Sequence, residues 1–171
     1  MRNRSPLELL PVFLNVKDLP CLVVGGGRIA TRKIGKLVQA GAEVSVISPE
    51  VTEQVQEWAV NGWLTWIERS YQHEEAAEYV LIFAATNDSQ VNAEVAQDAR
   101  KAGRFVNVID DAKACSLVMP ASMKTDVVQV AISTSGTSPK LAKSLRGYLE
   151  SDVAHGTNSF IKALRGDNPD K

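Results

Sequence analysis

The stretch Cys21-Leu22-Val23-Val24-Gly25-Gly26-Gly27-Arg28-Ile29-Ala30 constrains this chain more than any other. A short continuous apolar run suits a central parallel strand buried on both faces. Glycines follow at once. Ile29, Ala30, Lys33, Ile34, Leu37, Val38 and Ala40 then recur at helical spacing, and Gly41 closes the helix. Glu43 to Ser48 is a second predicted strand. Gly25, Gly27 and Ala30 spell G-x-G-x-x-A between strand and helix, the setting that a dinucleotide fingerprint requires. Gly25 permits the tight turn, Gly27 lets the backbone approach a pyrophosphate, and Ala30 keeps the helix close to the strand. N–H groups at the helix start then meet the phosphate charge. A tight turn without a ligand is the alternative reading. The agreement of strand, loop, helix and second strand favours the cofactor.

Cofactor contacts are expected from Gly25, Gly26, Gly27, Arg28 and Ile29, from Ser48, Pro49 and Glu50, and from Thr86 and Asn87. In such units the second strand normally ends in Asp or Glu, which binds the ribose hydroxyls. Here Ser48 takes that place and Glu50 lies two residues on. No basic residue sits there to receive a 2′-phosphate, which favours NAD over NADP. Thr86 and Asn87 end the next long strand on the same sheet edge, and they read equally as a polar helix cap.

The same alternation continues along the chain. Leu9 to Val16 reads as an edge strand or extended lead-in. Thr52 is the expected cap of a helix carrying Val55, Trp58 and Ala59, which Asn61-Gly62 stops. Leu64 to Ile67 and Tyr79 to Ala84 are predicted strands, Val91 to Ala102 a helix ending at Gly103, and Phe105 to Ile109 the fifth strand. This β-α-β-α-β-β-α-β order predicts a parallel sheet covered by helices. From Asp110 the pattern changes. Leu117 to Met119 and Val127 to Ser133 read as strands, with a turn at Lys124-Thr125-Asp126. Pro139 to Leu149 reads as a helix capped by Ser138, Val153 to Leu164 as a weaker one, and Gly166 to Lys171 as a frayed tail.

Hydrophobic residues make up 44% and charged residues 23% of the 171, ordinary values for a packed core. The net charge of −1 gives no field toward nucleic acid or acidic membranes, so an anionic substrate needs a local cluster of Lys and Arg. No stretch approaches the ~20 apolar residues of a membrane helix. Met1 to Glu8 is polar and charged with no long apolar run behind it, and there are only two cysteines, Cys21 and Cys115. A soluble, cytoplasmic protein without nucleic-acid or membrane partners is therefore expected. His73 and His155 are far apart and belong to no metal-ligand spacing, so no metal site is expected; His73 reads as part of a surface turn.

Pro11-Val12-Phe13-Leu14, Val23 to Gly27, Arg32-Lys33, Ala40-Gly41-Ala42, Ala84-Ala85-Thr86-Asn87-Asp88, Val106-Asn107-Val108-Ile109-Asp110, Met119-Pro120-Ala121 and Ser133 to Pro139 follow one another in a family order. Over Leu10 to Glu150 the chain resembles the precorrin-2 dehydrogenase and sirohydrochlorin ferrochelatase family, the dehydrogenase module of sirohaem synthase. The S-G-T-S-P segment is its most specific part. The resemblance implies an α/β fold: a Rossmann-type parallel sheet with a small α+β dimerisation segment and short C-terminal helices. The corresponding division is 1–112 for the NAD-binding domain, 113–138 for dimerisation and substrate-site strands, and 139–171 for the helical segment. The family's helical C-terminal region is usually longer. The implied reaction removes two hydrogens from precorrin-2, a tetrapyrrole with eight carboxylates, and gives sirohydrochlorin, with NAD taking the hydride. Some members also insert Fe²⁺ to give sirohaem, and members are homodimers.

Asp110 follows the fifth strand at the sheet edge where ligands bind in open α/β folds. By itself it reads as a turn or cap aspartate, and Asp111 beside it carries the same charge. The family's N-V-x-D pattern assigns Asp110 as the catalytic carboxylate, a base for the proton that leaves with the hydride. The resemblance places Ser133, Thr134, Ser135, Thr137, Ser138 and Lys140 by the tetrapyrrole. Hydroxyls and helix-start N–H groups suit carboxylates, although Ser138 alone reads as an ordinary N-cap. A family position that can be a phosphorylated serine is Thr134 here. Lys113, Lys124 and Arg146 are further candidates for substrate carboxylates or ordinary surface charges. A different class, a non-catalytic NAD(H)-sensing module, accounts for Gly25 to Ala30 but leaves Asp110 and the Ser133 to Pro139 segment without a role.

Overall fold

The computed structural model describes residues 7–156 and 161–162. They fall in two compact units. One is Phe13–Val118; the other is made of the described parts of Met1–Val12 and Met119–Lys171.

The first unit is built on β1 (Pro20–Val24), β2 (Glu43–Ile47), β3 (Thr65–Ile67), β4 (Leu81–Ala84) and β5 (Phe105–Val108). They form one parallel sheet in the order β3-β2-β1-β4-β5. Three helices connect them: α1 (Arg28–Gln39), α2 (Glu53–Val60) and α3 (Ser89–Lys101). The apolar run of β1 and all of β4 are buried, as central strands covered on both faces must be. α1 buries Ala30, Ile34 and Leu37, and α3 buries Val95, Ala96 and Ala99. The chain leaves β1 toward β2 on one side and later crosses back to β4 on the other. Register pairs Val24 with both Ile47 and Ala84, and Ala84 with Val108. The residues that follow, Gly25, Ser48, Ala85 and Ile109, therefore leave the sheet along one carboxyl edge. The crevice at that reversal of strand order is where such sheets bind ligands.

The second unit pairs β6 (Ala121–Lys124) with β7 (Gln129–Ile132) in an antiparallel hairpin. α4 (Pro139–His155) packs on both strands, with Met123 and Ala142 buried. Ser138 accepts from the Leu141 N–H and Pro139 opens the helix, as expected.

Several expectations are corrected. The Leu9–Val16 lead-in forms no strand. Neither does Leu117–Met119: the Ser116 and Leu117 N–H groups both donate to the Val106 carbonyl, which ties that segment to the edge of β5. Pro120, without an N–H, then precedes β6. α4 continues to His155 because Ser151 and Asp152 do not break it, and Gly156 is its C-cap. Val153 thus belongs to α4, Ile161 and Lys162 are helical, and Ala163 to Lys171 lie outside the described residues. Thr52 sits at the N-cap of α2 but caps nothing with its side chain, which instead meets the Thr31 hydroxyl at 2.9 Å. No helix among the described residues is long and apolar enough to cross a membrane.

Burial in β1 pushes the Cys21 thiol up to about 11. The folded state thus prefers the neutral thiol. Its contribution is complete below the ordinary thiol value of 9.0 and is lost as pH rises from there to about 11. Urea midpoints of the wild type should fall across that window relative to Cys21→Val. Parallel curves for the two proteins would refute the burial argument.

Candidate active site

Gly25 and Gly26 are buried, whereas Gly27, Arg28 and Ile29 are exposed. A Cβ on Gly25, whose φ is +114°, would lie 2.4 Å from the Ala85 carbonyl oxygen. One on Gly26 would lie 2.0 Å from the Glu50 carbonyl oxygen. Both glycines are therefore demanded by backbone packing, Gly25 against the end of β4 and Gly26 against the segment after β2. Gly27 differs: a Cβ there meets nothing within 4 Å. The open side of Gly27 is where a pyrophosphate needs the backbone bare.

The start of α1 fits an anion for a second reason. Its first N–H groups have no intrahelical partner. The N-cap is Gly27, no side chain caps it, and no acidic residue lies in its first turn. α3 by contrast has Asp88 accepting from the Gln90 and Val91 N–H groups. The residues present thus fit a dinucleotide phosphate: bare backbone, uncapped N–H groups and the positive end of a helix.

Ser48 is buried, and its hydroxyl donates to the Glu50 carbonyl at 2.6 Å. Trp66 Nε1 holds the Ser48 carbonyl at 3.0 Å. The strand end is thereby fixed, and Pro49 and Glu50 are left exposed. Thr86, half-buried, follows β4, with Asn87 exposed beside it. Asp110 follows β5, is exposed, and accepts from Asn92 Nδ2 at 3.1 Å. Asp111 accepts from the Lys113 N–H at 2.9 Å and caps the short 3₁₀ turn Ala112–Ala114. The capping carboxylate of this pair is therefore Asp111. Asp110 and Asp111 both line a cleft of about 650 Å³ along α3, with Ala93, Gln97, Arg100 and Ala114 among its walls. Gly25 to Ile29, Ser48 to Glu50, Thr86, Asn87 and Asp110 all lie along the one carboxyl edge of this sheet.

The hydroxyl-rich segment belongs to the second unit. Ser133 Oγ accepts from the Ser135 N–H, Thr134 Oγ1 from the Ser138 N–H, and Thr137 Oγ1 donates to the Thr134 carbonyl. Ser135 adopts a left-handed φ of 51°, and its carbonyl accepts from the Leu7 N–H. Among the described residues Ser133, Thr134 and Ser138 act only as acceptors, which leaves their O–H protons to donate to a ligand. Lys140 is exposed in the first turn of α4, Lys113 and Lys124 are exposed, and Arg146 pairs with Glu150 on α4.

A family model described as "Putative NAD(P)-binding" matches residues 12–121. Among solved structures, SirC, a precorrin-2 dehydrogenase, superimposes with a TM-score of 0.76 at 34% identity, covering 84% of this chain and 71% of that one. The chain belongs to the precorrin-2 dehydrogenase family. A second family model, "Sirohaem biosynthesis protein central", matches residues 128–151, which include the hydroxyl loop and most of α4. The siroheme synthase of Nitrosococcus oceani is 44% identical over 144 residues, covering 84% of this chain and 31% of that protein. That of Nitrosomonas europaea is 43% identical over 145 residues, 84% of this chain and 30% of its own length. The chain thus spans about a third of the curated relatives it matches.

Three features of this family member escape sequence reasoning. Asn92 is a buried amide inside α3 that reaches the loops after β4 and β5. Lys33 lies in the apolar stripe of α1, yet its Nζ donates to Asn107 Oδ1 at 2.6 Å and sits 5.3 Å from the centre of the Phe83 ring. Burial pushes its pKa down. His73 Nδ1 stands 3.4 Å from Glu94 and 3.2 Å from Asp98, a buried carboxylate that also accepts from Tyr71 and the Glu74 N–H. The expected plain surface turn is thus a pinned one. Ligand-type atoms of these three residues lie within 4.8 Å of one another, and the buried Asp98 Oδ1 accepts no hydrogen bond among the described residues. Only the i, i+4 spacing of Glu94 and Asp98 signals this pairing in the sequence.

Proposed function

We propose that this chain oxidises precorrin-2 to sirohydrochlorin with NAD as the hydride acceptor. One observation carries the reading: an uncapped glycine-rich helix start and a carboxylate outside any capping role share a single edge of one sheet. A sensor of NAD(H) needs the first and has no use for the second.

NAD held at this edge would supply the hydride acceptor for oxidation of the macrocycle. The protein does the rest. Gly25 and Gly26 shape the turn, and the backbone from Gly27 to Ile29 holds the pyrophosphate. Ser48 and Glu50, beside Pro49, take the adenosine ribose, and Thr86 and Asn87 take the nicotinamide half. Asp110 accepts the proton that must leave for the macrocycle to gain a double bond. Precorrin-2 and NAD⁺ then give sirohydrochlorin, NADH and one proton. For the substrate's carboxylates we assign the outward O–H groups of Ser133, Thr134 and Ser138, with Ser135, Thr137 and Lys140 completing the set at the start of α4.

The functional protein is proposed to be a cytoplasmic homodimer. α4 leaves Leu141, Leu145 and Tyr148 exposed at i, i+4, i+7 spacing, an apolar stripe that a second copy would cover. Sedimentation equilibrium tests this, and a monomer at micromolar concentration refutes it.

The activity test is direct. Precorrin-2 and NAD are mixed with the protein under anaerobic conditions, and NADH and sirohydrochlorin should appear in equal amounts. No NADH formation would sink the assignment. Fe²⁺ added afterwards as a substrate reads out the second step: sirohaem above the spontaneous rate extends the activity to metal insertion.

A further inference from the structure

Asn92 is 1% exposed and lies in the first half of α3, surrounded by apolar core. A buried amide there is costly unless it is fully hydrogen-bonded. It is. Oδ1 accepts from the Thr86 N–H at 3.1 Å and is 2.8 Å from the Thr86 hydroxyl. Nδ2 donates to the Thr86 carbonyl at 3.2 Å and to Asp110 Oδ1 at 3.1 Å. The Thr86 N–H is an obligate donor, so it fixes which end of the amide is oxygen. The end that faces Asp110 must therefore be the NH₂.

We infer that Asn92 is a positioning residue for the reaction: it holds the Asp110 carboxylate by one oxygen and orients the other for proton transfer. A helix cap does not explain it, because Asp88 already performs that task for α3. Simple core packing does not explain it either, because an apolar residue would fill the space but leave the Thr86 N–H and carbonyl unpaired and Asp110 without its donor. What the amide supplies is a rigid link from the interior of a helix to two loops, Thr86 on the cofactor edge and Asp110 18 residues away in sequence. Asp110 Oδ2 has no protein partner among the described residues, which leaves it to take the proton. The inference rests on reading Asp110 as the base.

Asn92→Asp isolates the link. The acid keeps one oxygen for the Thr86 N–H and hydroxyl but turns the other, an acceptor, toward Asp110. With precorrin-2 as substrate, kcat should fall about a hundredfold, the scale of a small misplacement of a reacting group, while KM for NAD stays within about threefold. A residue that serves stability alone would leave kcat unchanged in the folded fraction. The variant is expected to lose thermal stability, and Asn92→Asp/Asp110→Asn separates that effect. The exchange restores the donor–acceptor pair between positions 92 and 110 but not the donor to the Thr86 carbonyl, so Tm should return part of the way to the wild type while turnover stays lost. Wild-type kcat in Asn92→Asp, a loss confined to KM, or no recovery of Tm in the double variant would each overturn the role. A wild type that never oxidises precorrin-2 removes the base reading instead, and it is recognised because the Tm exchange survives.

Discussion

Asp110→Asn should reduce turnover of precorrin-2 by about 10²–10⁴-fold, the usual contribution of a positioned base, while the protein folds and binds NAD as before. Asparagine keeps an oxygen where Asn92 Nδ2 now donates, at 3.1 Å from Oδ1. The side chain is exposed, so the neutral amide loses little else, and stability should change by no more than about 0.5 kcal/mol. Titration of NAD by calorimetry and stopped-flow turnover on the same preparation make the comparison. Turnover within threefold of wild type would remove Asp110 from the chemistry. Loss of NAD binding in parallel would show that the substitution disturbed the whole edge. Asp111→Ala is the control. It removes only the side-chain cap of the Ala112–Ala114 turn, so kcat should hold while stability drops by the ~1 kcal/mol that a cap is worth.

The second large effect separates two neighbouring glycines. Gly27→Val should weaken NAD binding by at least about a hundredfold, ~2.7 kcal/mol, with Tm almost unchanged. Its side chain enters open space, so the fold is indifferent to it, and that space is where the phosphates must approach the backbone. Gly26→Ala should do the opposite first. Its Cβ meets the Glu50 carbonyl oxygen at 2.0 Å and the Val51 Cα at 2.7 Å, backbone that cannot rotate away. Overpacking of this kind costs about 1–3 kcal/mol or more, so Tm should fall before any ligand is added. Equal effects of the two substitutions on Tm would contradict the division of labour along the loop.

The Rossmann sheet was legible because its signals are local. An apolar run, a glycine turn and a 3.6-residue stripe lie within one stretch of 20 or so residues, and the parallel order follows from their alternation. Leu117–Met119 failed as a strand because the Ser116 and Leu117 N–H groups that lead into it donate to the Val106 carbonyl, a partner that periodicity does not reveal. α4 was cut short because composition changes at Ser151 without any residue that breaks a helix. At the site, the glycines and the strand ends announced themselves. Asp110 and Asp111 could not be told apart by charge; only the N–H of Lys113, which one of them caps, distinguishes them. Asn92 was invisible for a deeper reason. An asparagine inside a helical stripe looks like a polar intrusion until the loops it joins are seen beside it. Lys33 fell within the helical repeat of α1 in the sequence, but its amine reaching Asn107 across the Phe83 ring is a tertiary fact.

The bare start of α1 has a consequence for the empty protein. No side chain closes the start of α1, and its N-cap is a glycine. Its first-turn N–H groups should exchange readily while the site is vacant and gain protection when phosphate arrives. A dinucleotide bound there would complete a piece of secondary structure as well as accept electrons, so saturation with cofactor and protection of that turn should rise together.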